Sequence, residues 1–152
     1  VSFAVFKWSY KMKAPTKSDN PIMAAWQKSP GFVYFLRAGN AIKIGVAAVP
    51  TGKTMAQTIV RRFKQIQSSN HECLEILGVI RFQDGELPTL LAEKCERELH
   101  SRFKSSLRFK MHSLAAEWFN SSDELLTFVR HNTEAPEALA VPRYVAIPNV
   151  AD

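Results

Sequence analysis

The sequence predicts a small α+β domain, with elements in the order ββαβα and a further C-terminal helix. Three observations carry this. Phe32–Leu36 and Ala41–Val46 are short apolar, β-branched runs separated only by turn residues, which reads as an antiparallel hairpin. Two later segments carry apolar residues at spacings of three and four, the period of an amphipathic helix. The chain of 152 residues, 46% apolar and 22% charged, has the size and composition of one globular domain. That composition excludes a wholly disordered chain, a collagen and a disulfide-stapled mini-protein.

The elements follow in order. Ala38-Gly39-Asn40 is turn chemistry, so a turn of three or four residues is expected between the first two strands. Thr54–Gln67 reads as a helix whose stripe is Met55, Ile59, Phe63 and Ile66. Leu74–Phe82 reads as a third strand. Pro88 opens a helix to about Phe103, striped by Leu91, Cys95, Leu99 and Phe103. Asn120-Ser121-Ser122-Asp123 is an N-cap signal for a last helix, Glu124–Arg130. No run of 18 apolar residues exists, so no membrane span is expected.

Three regions are expected. Residues 1–30 form a basic, poorly ordered extension, 31–132 the folded domain, and 133–152 an extended tail containing three prolines. The extension interleaves Lys7, Lys11 and Lys13 with aromatics, unlike a secretory signal. The first residue is Val, so a start at Met12 or Met23 is also considered. Cys73 and Cys95 lack CxxC partners, which argues against structural zinc and for a reducing, cytoplasmic setting.

The net charge of +6 suggests a polyanion partner. The extension and the domain each contribute +4, and the tail contributes −2. Ala47–Thr54 (AAVPTGKT) matches a relaxed phosphate loop, in which Lys53 would reach phosphate and Thr54 Mg²⁺. Its flanking strand is expected in an antiparallel hairpin, whereas that motif requires a parallel sheet. A loop followed by a helix cap is the competing reading.

FVYFLRAGNAIKIG, RRFKQIQSSN, ECERELHSRF and EWF, in that order, resemble the GIY-YIG nuclease superfamily. The likeness is to its phage and bacterial branch, with a KIG second motif and an EWF segment. It spans about residues 31–130 and implies a small three-stranded antiparallel sheet flanked by helices, in agreement with the order of elements above. Tyr34 matches the first-motif Tyr, and Lys43 replaces the second. Gly45 matches the Gly of that second motif, Arg62 the helix Arg, and Glu96 the metal-binding Glu. His100 and Glu117-Trp118-Phe119 belong to the branch.

The resemblance implies a Mg²⁺- or Mn²⁺-dependent DNA endonuclease using one ion on Glu96. Tyr34 would orient or deprotonate a water if nearby cations lowered its pKa. Arg62 would take the phosphate, with support from Lys43 and His100. Arg61 and Lys64 are expected to bind the nucleic acid. Trp118 and Phe119 are expected to seal the core, and Glu117 to cap or pair. A DNA-binding module without catalysis is the alternative. Oligomeric state is left open.

Overall fold

The computed structural model describes residues 20–110 and 117–149. Helix α1 (Pro21–Lys28) precedes the hairpin β1 (Gly31–Ala38) and β2 (Ala41–Ala48). Then come α2 (Met55–Ser68), β3 (Glu75–Phe82), α3 (Pro88–Arg102), β4 (Trp118–Asn120) and α4 (Asp123–Asn132). Single 3₁₀ turns form at Lys104–Ser106 and Pro136–Leu139.

The sheet is antiparallel with order β3-β1-β2-β4, so it has four strands rather than the expected three. The added strand is the EWF segment. Three residues are too few to read as a strand from sequence, and β4 exists only because β2 offers an edge to pair with. The hairpin turn is shorter than expected. Ala38 pairs with Ala41, and Gly39 takes φ +56, the conformation that lets two residues close the turn.

β1 is an inner strand and is buried on both faces, which explains the unbroken apolar run at its core. Val33 and Phe35 face one core with Ile42 and Ile44 of β2, Cys95 and Leu99 of α3, and Leu125 and Phe128 of α4. Phe32, Tyr34 and Leu36 face the other, with Ile59 and Phe63 of α2 and Ile76 and Val79 of β3. Lys43 and Gly45 of β2 alternate with Ile42 and Ile44, so they lie on the α2 side of the sheet.

Two expected tails contain folded parts. Asn20 caps α1 through its side chain, which accepts from the N–H of Ile22 and Met23. Thr89 Oγ1 donates to the carbonyl of Ser29 at 2.6 Å, tying this helix to α3. Beyond α4, Glu134 exchanges backbone hydrogen bonds with Val79, and the N–H of Ile76 donates to the Arg143 carbonyl. Val141 is buried against β3. Proline marks local rigidity, and the free edge of β3 organises this segment through contacts distant in sequence. Among the described residues, no helix is long and apolar enough to cross a membrane.

Candidate active site

The site is assembled where α3 passes the edge of β2. Across the described residues, β4 pairs only with Ala41–Lys43, which leaves the later part of β2 without a second strand neighbour. His100 Nε2 lies 2.9 Å from the carbonyl of Ile44 on that edge. Its ring stacks edge-on against Phe119, with centroids 5.2 Å apart. His100 therefore bolts α3 to the sheet. Its Nε2 is 4.0 Å from Glu96 Oε1, one helical turn earlier.

Tyr34 lies opposite Gly45 in the β1–β2 register. A Cβ at position 45 would stand 2.3 Å from the phenol, so glycine makes room for the ring. Phe63 packs edge-on against Tyr34 at 5.7 Å. The adjacent residue, Arg62, donates from Nε to the Tyr34 hydroxyl at 3.2 Å. Helix α2 reaches this position in register because Thr54 and Gln57 form a reciprocal capping box at its start.

Lys43 Nζ pairs with the Glu117 carboxylate and lies 5.9 Å from the Trp118 ring centroid. The Glu117 carbonyl accepts from the Ile44 N–H. The same β4 pairing thus sets both the backbone and the charge of Glu117. Phe119 is fully buried, whereas Trp118 is half-buried beside Lys43.

The electrostatics are unbalanced. Burial, followed by the charge of Glu117, pushes the Glu96 carboxyl up to about 7 against the opposing pull of Lys43. The Tyr34 phenol is also raised. Its burial outweighs the hydrogen bond and charge of Arg62, and Glu117 and Glu96 add to the rise. This corrects the expectation of a phenol acidified by neighbouring cations: Tyr34 is completely enclosed, and one guanidinium does not offset the lost hydration. Tyr34 stays protonated at neutral pH.

Six of the sequence-derived residues therefore share one site: Tyr34, Lys43, Arg62, Glu96, His100 and Glu117. Gly45 shapes it from below. Arg61 and Lys64 are exposed and line a shallow groove on the outer face of α2 with Ala56 and Val60, apart from the Tyr34 hydroxyl. Glu93 was not singled out by sequence, yet it faces Glu96 from one turn earlier on α3 and its own carboxyl is raised by burial. A lone Glu on a polar helix face gives no sequence signal for this.

The phosphate-loop reading does not survive the fold. The sheet is antiparallel throughout, and Thr54 Oγ1 accepts from the Gln57 N–H at 3.1 Å as a helix cap. Cys73 and Cys95 are free thiols.

Carboxylate oxygens such as those of Glu96 and Glu117 are the donor type that a hard divalent cation takes. Around Glu96, the carboxylates of Glu117 and Glu93 are opposed by the cations of Lys43 and Arg97. Mg²⁺ needs only one or two carboxylates and keeps its remaining positions for water. Among the described residues, no three His, Cys, Asp or Glu side chains form a cage. Glu96 and Glu117 are the carboxylates that could hold such an ion.

No protein-family model, curated protein or solved structure matches the chain.

Proposed function

We propose that this protein is a Mg²⁺- or Mn²⁺-dependent DNA endonuclease that hydrolyses phosphodiester bonds through a GIY-YIG-type site. One observation supports it most: Arg62 and Glu96 act on Tyr34, and Lys43 acts on Glu96, so that side chains from three different elements meet beside this strand residue. A bound divalent cation would lower the pKa of its water and neutralise charge on the scissile phosphate.

The chain's own groups supply the rest. Glu96 in its ionised form would hold the cation. Arg62 presents its guanidinium to a non-bridging phosphate oxygen, with Nε occupied by Tyr34 and the outer nitrogens left for the substrate. Tyr34 acts through Arg62 as a positioning residue, because its ring is enclosed and its hydroxyl accepts from that side chain. Lys43 stabilises developing negative charge near the leaving oxygen, and Glu117 fixes where its ammonium stands. His100 keeps Glu96 in place by fastening α3 to Ile44.

The test is a cleavage assay on duplex, single-stranded and branched DNA with Mg²⁺ or Mn²⁺, using the full chain and its Glu96→Gln variant. Metal-dependent nicking lost in the variant is the expected result. Equal nicking by both proteins overturns the assignment. The enclosure of Tyr34 favours a second reading, a module that holds DNA without cutting it. A salt-sensitive gel shift with no turnover in either metal would establish that alternative.

A further inference from the structure

Beside the site runs a segment that the proposed chemistry does not use. Leu107 bridges Phe119, and the Arg108 N–H donates to the Trp118 carbonyl at 2.9 Å. Residues 107–108 thus extend the sheet past β4. With adjacent strands about 4.8 Å apart, this segment lies roughly 10 Å from Lys43 on β2.

Its composition is one-sided. Arg108, Phe109 and Lys110 are all exposed, as are Arg102 and Lys104 just before them. Residues 101–110 contain no acidic residue. Phe109 is 52% exposed, although Leu107, two residues earlier, packs against the core. Arg108 Nη1 donates to Asn120 Oδ1 at 2.9 Å, so the strip is held to β4 by side chain as well as backbone.

We propose that Arg108-Phe109-Lys110 is a subsite for an unpaired nucleotide of the DNA substrate. The flat apolar ring of Phe109 stacks on a base, and the flanking cations hold the adjoining phosphates. Stacking of this kind requires a base face, which a continuous duplex hides within its own stack. The cations match a polyanion, and two strand spacings, about 10 Å, are within reach of one or two nucleotides from a phosphate at Lys43. The occupant is therefore single-stranded DNA, or the unpaired part of a branched or frayed duplex. This inference rests on the DNA-cleavage reading for its direction but is tested by binding alone.

The experiment uses the full chain carrying Glu96→Gln, so that no strand is cut. Fluorescence anisotropy would follow binding of a labelled single-stranded oligonucleotide and of a blunt duplex of the same sequence. Phe109→Ala is expected to weaken single-strand binding by about fivefold or more. Its effect on duplex binding should stay within about twofold. Phe109→Trp should restore or exceed the original single-strand affinity. Lys110→Ala should flatten the salt dependence for single strands by about one phosphate contact. Equal loss on both ligands, no loss on either, or no binding by the parent chain overturns the subsite. A thermal melt of each variant separates loss of binding from loss of fold. Metal-dependent nicking by the wild-type chain is decided independently, so failure of the subsite and failure of the nuclease reading are distinguishable.

Discussion

The two edges of the sheet are both lined with charge, but they balance it differently. Along β3, Arg37, Arg81 and Arg143 meet Glu75, Glu134 and Glu137. Arg81 grips Glu134 through two hydrogen bonds of 2.7 and 2.8 Å, and Arg143 grips Glu137 through bonds of 2.8 and 2.9 Å. Cations and carboxylates are matched there, and the product is a strap that fastens the C-terminal segment. At the β2–β4 edge, Lys43 faces both Glu117 and the more buried Glu96, whose carboxyl rises to about 7. Matched pairs are structural. A carboxylate whose pKa is raised by burial beside other carboxylates marks a candidate functional site.

Replacing Glu96 breaks this contrast most severely. Glu96→Gln should lower metal-dependent cleavage by about 10³-fold, measured as the initial rate of plasmid nicking. The same change should stabilise the fold above neutral pH. Glu96 has a folded pKa near 7 against an ordinary value of 4.5. The unfolded chain therefore loses its proton first, and wild-type stability falls as pH rises from about 4.5 through about 7. Calorimetry should find the Gln variant about 1–2 kcal/mol more stable than wild type at pH 8 and nearly equal at pH 4. An unchanged difference across that range would refute the burial cost assigned to Glu96.

Next in size is the guanidinium. Arg62→Ala should reduce cleavage by about 10²-fold, while Tyr34→Phe, which removes only the hydroxyl that Arg62 grips, should cost less. A larger loss from Tyr34→Phe than from Arg62→Ala would mean that the phenol acts on the substrate itself. Gly45→Ala probes the floor of the site. Its Cβ would overlap the Tyr34 ring, so a loss of about 1–3 kcal/mol in denaturant unfolding is expected, together with reduced activity. The smallest effect belongs to the other edge. Arg81 and Glu134 are both partly exposed, so a double-mutant cycle should return at most about 1 kcal/mol, with cleavage unchanged.

Much of the site was legible because its spacing is helical or alternating. Glu96 and His100 are one turn apart, and Arg62 precedes the core residue Phe63, so their placement follows from local geometry. Lys43 and Gly45 sit between core residues of β2 and had to share the opposite face. The ion pairs of the β3 edge had no such signal. Arg81 and Glu134 are 53 residues apart, and only docking of the tail brings them together. The state of Tyr34 was misjudged for the same reason. Its cationic neighbour was readable, whereas its complete burial depends on Phe32, Phe63 and Gly45 closing around it.

The sequence by itself determined the hairpin, the three principal helices and most of the residues that meet at the candidate site. Each of these is set by period, turn chemistry or capping within a few residues. Tertiary structure alone decided that EWF becomes a fourth strand and that the proline-containing tail becomes a strap. It also decided that Glu96 and Tyr34 hold their protons more tightly than in water. Those outcomes depend on edge pairing and desolvation, which arise only when distant segments exclude solvent together.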